Sequence, residues 1–346
     1  MGYSRRSRNT SQNERARPLL TEIGQLNSDL WLDQPDAHSR VDDRVASGSL
    51  SAADAVLLRN FVDDGYLTTS IGLDASVTDQ LDAEIGRLWR ERPANLAVAV
   101  PGPEAATALE DFEGQERQYG YRLPDLHGSS PTALSLYLQP EIFRLIDLIF
   151  DQQSIAFQSL YFEHGSMQGL HRDPMFAPTR PVPHLVAAWI ALEDITPDSG
   201  PLFFLPGSHR LPWFEFQENS VALTPRTRAR QPEYQTWIHE LLGREPRDWK
   251  RFVCRRGDVM IWHAGLMHGG SKVQNPATTR KSFVVHYSTS ATYRKRRGRM
   301  RVRDGAEMRL FRSSTDTIAE VPGARGFESP MKDARIPDGK RLVGAS

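Results

Sequence analysis

The chain has 346 residues, 39% of them apolar and 25% charged, and its 43 basic residues balance 43 acidic ones. That composition supports a sizeable globular core and argues against a nucleic-acid partner, because phosphate binding needs a surplus of Lys and Arg. A single cysteine, Cys254, excludes a disulfide framework and a Cys-rich zinc or iron–sulfur site. The longest uninterrupted apolar run, residues 185–192, is too short to cross a bilayer, so no membrane partner is expected. The basic, polar N-terminus lacks the apolar segment of a secretory signal. A cytoplasmic protein is the expectation.

Residues 1–45 are rich in Arg, Ser, Asn, Gln and Asp without clear periodicity, and predict a disordered or loosely docked arm. A single domain is expected over 46–311. It opens with a helix capped by Ser51 and Asp54, carrying Val56, Leu57, Phe61 and Val62 on one face and ending at Gly65. A second helix is predicted with its cap at Ser76 and Asp79. Its apolar face is Val77, Leu81, Ile85, Leu88 and Trp89, and Pro93 stops it. Residues 94–130 predict a long irregular segment of the kind used for lids and binding loops. A helix bearing Ile142, Leu145, Ile146 and Ile149 follows, with Pro140 near its start.

From residue 154 the apolar period changes from helical to two. Short strands are predicted over 155–163, 184–193, 200–205, 251–254, 258–262 and 282–288, bounded by Gly, Pro, Asp or Asn. Many short strands behind a helical preface predict a mainly β fold, a jelly roll with helices packed outside. Residues 210–250 read as an insertion. It holds an aromatic stretch at 212–216 and a helix from Gln231 with Tyr234, Trp237, Ile238, Leu241 and Leu242, able to cap a pocket or pack on the sheet. Arg and Lys crowd residues 294–303, a solvated loop or an attractor for an anionic or carrier-linked substrate. A tail over 312–346 completes the chain.

Chemistry concentrates at His171-Arg172-Asp173. Residues i and i+2 of an extended segment project from one face, so an imidazole and a carboxylate stand side by side. A second imidazole from a distant strand would complete a two-His, one-carboxylate triad with open positions, the ligand set of non-haem Fe(II) oxygenases. His263 and His268 both qualify. His263 follows an alternating apolar strand, whereas His268 sits at a Gly-flanked bend able to re-aim a side chain. Twelve residues beyond His268, Arg280 shares parity with Ser282, Val284 and His286. A buried guanidinium there could take the far carboxylate of an organic 2-oxo acid in two parallel hydrogen bonds.

These motifs resemble the phytanoyl-CoA dioxygenase family of Fe(II)/2-oxoglutarate-dependent oxygenases. The resemblance runs from residue 61 to about residue 288. It rests on Gln168-Gly-Leu-His171-Arg-Asp173, the block from Asp198-Ser-Gly-Pro-Leu to Pro206-Gly-Ser-His209, Gly257-Asp258, His268-Gly-Gly and Arg280. It implies a double-stranded β-helix of cupin type, with His171, Asp173 and His268 as iron ligands and His263 and His209 structural. Arg280 is implied as the anchor of 2-oxoglutarate, with Ser282 beside it, Gln168 near its chelating end and Trp189 on the pocket wall. The implied activity uses Fe(II), O2 and 2-oxoglutarate to hydroxylate an unactivated C–H of a small molecule, releasing succinate and CO2. Desaturation, epimerisation or cyclisation by the same machinery is the alternative outcome. A metal-binding jelly roll without oxygenase activity is the alternative class. A carboxylate at Asp173, where a small residue would free a position for halide, argues against a halogenase.

Overall fold

A computed structural model describes residues 28, 30–94, 96–101, 106–179, 181–218, 220–243, 247–289 and 292, with the backbone of 307–311 and 318–322. Six helices are present among these residues: α1 (Ala37–Ala46), α2 (Ala52–Asp64), α3 (Ala75–Glu91), α4 (Pro131–Tyr137), α5 (Pro140–Phe150) and α6 (Gln231–Gly243). The early strands are β1 (Tyr66–Ser70), β2 (Ala97–Val98), β3 (Thr107–Ala108), β4 (Arg122–Pro124), β5 (Ser154–Phe162), β6 (Val186–Ala191) and β7 (Leu202–Leu205). The later ones are β8 (Lys250–Arg251), β9 (Asp258–His263), β10 (Met267–Gly270), β11 (Ser282–Thr289), β12 (Glu307–Phe311) and β13 (Ile318–Pro322).

Two antiparallel sheets face each other as a cupin-like jelly roll. The large sheet runs β1-β9-β6-β11-β5-β12-β13 with β4 also paired to β5, and the small one runs β10-β7-β8. Alternation along each strand of the large sheet divides its residues between two cores. Val186, Ala188, Ile190, Val259, Ile261, Phe283, Val285 and Tyr287 pack outward with the helices. Ala187, Trp189, Ala191, Met260, Trp262 and Val284 point inward, toward Leu202 and Phe204 of the small sheet. Both faces are apolar because both are covered, so β6, β9 and β11 are buried along their length. No helix among the described residues is long and apolar enough to cross a membrane.

Helix capping follows local chemistry with one difference from expectation. The Ser51 hydroxyl accepts from the Asp54 amide, and Gly65 closes α2 at φ +77°. At α3 the cap is Asp74, whose carboxylate accepts from the Ser76 amide, so the helix begins before the Ser76–Asp79 pair. On α2 the buried face is Ala55, Leu58, Phe61 and Val62, while Val56 is exposed. Phe61 and Val62 are buried as expected and Leu57 packs partly buried on the core, so the expected stripe differs at Val56, which is apolar but faces solvent. β1 and β10 were also not anticipated. Both are short, and β10 consists of Met267, His268 and two glycines, with no strand-like composition.

The arm expected over residues 1–45 differs from the structure from Leu30 on; residues 1–27 lie outside the described residues. Leu30, Trp31 and Leu32 are buried in the helical core, and the Trp31 indole donates to the Leu148 carbonyl at 3.1 Å. Three adjacent large apolar side chains give no helical or strand period, which is why the segment read as an arm. Asp33 fastens it, with Oδ2 at 3.3 Å from Nε2 of buried His263 and accepting from the Ser28 hydroxyl. Most of the 312–346 tail and the basic run at 294–303 also lie outside the described residues, apart from β13, which pairs with β12.

Burial pushes the Asp33 carboxyl up, but His263 and the Ser28 hydroxyl outweigh it and hold the group at about 2, below its ordinary 3.8. A depressed carboxyl adds stability that is complete above the unfolded value and is lost as pH falls from 3.8 through about 2. We therefore expect Asp33→Asn to cost about 1–2 kcal/mol at neutral pH. Urea unfolding of wild type and variant should converge as the pH is lowered through that window.

Candidate metal centre

His171 and His268 face each other as an isolated antiparallel pair, each amide donating to the other's carbonyl at 3.0 and 3.1 Å. The pairing sets the two imidazoles side by side, with ring centroids 4.4 Å apart. In each ring Nδ1 faces a backbone carbonyl two residues upstream, Gly169 at 2.8 Å for His171 and Leu266 at 3.0 Å for His268. A proton held on Nδ1 leaves the Nε2 lone pair free to meet a cation.

Asp173 opens a short 3-10 turn, its carbonyl accepting from the amides of Phe176 and Ala177. Its Oδ1 reaches Nε2 of His268 at 3.4 Å and Nε2 of His171 at 3.9 Å. Oδ2 accepts from the Trp262 indole at 2.8 Å. Ligand atoms of the three residues lie within 4.8 Å of one another, and all three side chains are buried. Two imidazole nitrogens and one carboxylate oxygen on one side of a common point suit a divalent first-row metal with open positions opposite.

The chain crowds this point through glycine. A Cβ at Gly269 would lie 2.8 Å from the Gln168 carbonyl oxygen, and one at Gly270 would lie 2.7 Å from the Met167 amide. Only a bare backbone lets β10 pass so close to the segment leading to His171. Behind the ligands, Met175 and Met267 pack with Phe216, Tyr234, Trp237, Ile238 and Leu241. The 210–250 insertion thus braces the ligand-bearing turn from outside the large sheet. Arg172, between two of the cluster residues, points the other way. Its guanidinium donates to the carbonyls of Ser208, Leu211 and Pro212 at 2.7–3.1 Å and lies 4.4 Å from the Trp213 ring centre.

Electrostatics fits a cation site. Burial, reinforced by His268, pushes the His171 imidazolium down to about 3, so the ring is neutral at physiological pH. Burial alone would raise the Asp173 carboxyl, but His268 and His286 hold it well below its ordinary value, as a carboxylate. Burial opposes protonation of His268, and Asp173 beside it prevails and raises it.

Arg280 lies in the same cavity as the cluster, together with Gln168, Trp189, Trp262 and His286. It is 1% exposed, between the rings of Phe162 and Trp189 at 5.7 and 5.6 Å. Burial lowers it to about 10, which leaves it charged. Nη1 reaches the Gly200 carbonyl at 3.5 Å, Nε has no hydrogen-bond partner, and no ion pair to the guanidinium occurs among the described residues. A buried cation with donors to spare fits the far carboxylate of a bound acid.

The structure brings together His171, Asp173, His268, Arg280, Gln168 and Trp189. Ser282 is buried on the inward face of β11 with an unpartnered hydroxyl, and does not line the cavity. His263 falls on the outward face of β9, edge-on to Phe61 and His209, away from the cluster. Sequence reasoning gave no role to Trp262, His286 or Arg172. The parity of Arg280, Ser282, Val284 and His286 was already a signal for His286. No comparable signal marked Trp262.

The fold and the cluster define a cupin-like jelly roll with a facial His-Asp-His site. Residues 61–282 match the family described as Phytanoyl-CoA dioxygenase (PhyH), and the chain belongs to that family. The peroxisomal phytanoyl-CoA dioxygenase of Rattus norvegicus is 25% identical over 309 residues, 82% of each chain. Phytanoyl-CoA dioxygenase domain-containing protein 1 of Mus musculus is 27% identical over 175 residues, 48% of this chain and 56% of that one, so the match spans just over half of that relative. Among solved structures, the non-heme alpha ketoglutarate dependent epimerase SnoN from nogalamycin biosynthesis superposes with a TM-score of 0.50. It shares 21% identity over 69% of this chain and 84% of that one, a likeness of fold.

Removing one ligand should abolish tight metal binding. His268→Ala and Asp173→Ala are expected to retain little Fe(II) or Co(II) after dialysis, whereas His263→Ala should retain wild-type stoichiometry by metal analysis. Trp262→Phe, which removes the donor to Asp173 Oδ2, should weaken Co(II) affinity by about 10–100-fold.

Proposed function

We propose that the chain is an Fe(II)/2-oxoglutarate-dependent dioxygenase that hydroxylates an unactivated C–H bond of a small molecule. The observation that carries this reading is one cavity lined both by a His-Asp-His cluster and by a buried Arg280 that has no carboxylate partner among the described residues. A metal-binding protein without an acidic cosubstrate has no use for that guanidinium. His171, Asp173 and His268 would hold iron, which with 2-oxoglutarate as reductant would supply the activation of O2, with succinate and CO2 as the coproducts.

The chain's own residues have distinct parts. His171 and His268 would each offer an Nε2 lone pair to the metal, the rings kept in orientation by their Nδ1 contacts to Gly169 and Leu266. Asp173 supplies the negative oxygen, and the Trp262 indole on its second oxygen holds the carboxylate plane. Arg280 takes the far carboxylate of the cosubstrate, with Trp189 against its guanidinium and Gln168 at the nearer end. Ser282, outside the cavity lining, has a hydroxyl without a partner among the described residues and gives no direct contact to that anchor. The apolar wall of Phe162, Leu202 and Val284 excludes water, which strengthens the charge–charge contact inside. The alternative outcomes of desaturation, epimerisation or cyclisation use the same ligands and anchor and differ in how the substrate is held.

The test is spectroscopic. Anaerobic addition of Fe(II) and 2-oxoglutarate to the protein should produce the weak visible charge-transfer band of a metal-bound 2-oxo acid. Arg280→Ala should weaken the cosubstrate affinity read from that band by about 30-fold or more, since truncating one partner of a buried charge pair costs about 2–5 kcal/mol. Absence of the band in folded wild type, with tight zinc binding in its place, would contradict the reading.

A further inference from the structure

Beyond Arg280 and the cluster, the inward face of the large sheet carries two polar side chains, His286 and Gln158, that hold neither the metal nor the cosubstrate in this reading. His286 is 5% exposed and lines the cavity, and neither ring nitrogen has a hydrogen-bond partner among the described residues. Nε2 stands 3.7 Å from Asp173 Oδ2, outside hydrogen-bond range. Directly across the β5–β11 ladder is Gln158, paired in register with His286 and 7% exposed. Opposed residues share a face with their Cβ atoms about 5 Å apart. Gln158 also shares parity with Leu160 and Phe162, both of which line the cavity. No hydrogen bond of its carboxamide occurs among the described residues.

Next to the pair the wall is apolar or small. Phe157 lies parallel to the His286 ring at 6.0 Å, and the β6 partner in register with His286 is Ala187. Buried imidazoles are normally satisfied, and His286, unpartnered in the cavity with the Gln158 carboxamide across the ladder on the same sheet face, calls for an outside partner. A plain alkyl chain would leave both orphaned. An oxygen-bearing group can accept from the carboxamide NH2 or the imidazole N–H, and a hydroxyl can also donate to the remaining acceptor.

We propose that His286 and Gln158 together hold a hydroxyl, carbonyl or amide group of the primary substrate, and so select oxygenated molecules over unfunctionalised hydrocarbon. Resting on the oxygenase reading, this narrows its substrate class: the molecule carries oxygen on or beside the carbon brought to the metal, as in a polyol, a sugar or an oxygenated ring. Asp173 stands 3.7 Å from His286 on the metal side, so the bound oxygen lies next to the reacting carbon.

The test is a binding measurement that does not depend on turnover or on 2-oxoglutarate. Saturation-transfer NMR on the full chain loaded with Zn(II) would compare matched probes, cyclohexanol with methylcyclohexane and cyclohexanone with methylenecyclohexane. Wild type should bind the oxygenated member of each pair about tenfold more tightly, and the preference should fall to about twofold or less in Gln158→Leu and in His286→Leu. Thermal melting checks that each variant is folded, and Gln158→Met replaces Gln158→Leu if that variant is not. Equal binding within the pairs, no binding of either oxygenated probe, or a preference that survives both substitutions would overturn the proposal. None of these outcomes touches the charge-transfer band, whose absence would instead remove the oxygenase reading.

Discussion

The paired hydrogen bonds between His171 and His268 are the constraint on which the centre depends. Each is worth only about 1 kcal/mol net, yet together they fix the separation of two imidazoles that come from distant parts of the chain. Once the backbones are joined at 3.0 and 3.1 Å, the Nδ1 contacts leave each ring little freedom to turn. The extended Arg172 then delivers Asp173 to the same side, and the 3-10 turn that follows prevents the strand from continuing past it. The backbone thus fixes the relative placement of the three side chains, which limits the reorganisation that binding a cation would cost.

The surrounding layers exist to keep that backbone pair in place. The outward face of the large sheet binds the helices, including the Trp31 segment, and the inward face closes on the small sheet. Pressure on the ligand-bearing segment comes from two further directions. The α6 cluster packs against Met175 and Met267, one from each of the paired segments, and Arg172 ties the residue between His171 and Asp173 to three carbonyls of the 208–212 loop. Because Arg172 lies between His171 and Asp173, a change in the 208–216 loop reaches the metal position without touching either of them.

Much of this was legible in the sequence, for reasons that differ from residue to residue. His171 and Asp173 were legible because i, i+2 spacing on an extended chain has one geometric outcome. Arg280 was legible through its parity with β11, which the observed strand keeps. Choosing between His263 and His268 was harder, because β9 is apolar on both faces and its alternation does not say which side is inward. The structure decides it: His263 shares the outward face with Val259 and Ile261, while Trp262 turns toward Asp173. The Leu30–Leu32 segment was not legible because its burial depends on a slot between helices distant in sequence. β10 was not legible because its two glycines serve close passage along the 166–168 segment, a tertiary requirement.

The central claim is that one cavity holds a metal at His171, Asp173 and His268 and an acid at Arg280. It is tested most directly by diffraction from crystals grown with Mn(II) and the 2-oxoglutarate analogue N-oxalylglycine, using the anomalous signal to locate the metal. The account predicts one strong peak about 2.2 Å from Nε2 of both histidines and from an Asp173 oxygen, with the analogue's far carboxylate on the Arg280 guanidinium. A peak at another set of side chains, or an analogue bound away from Arg280, would contradict it.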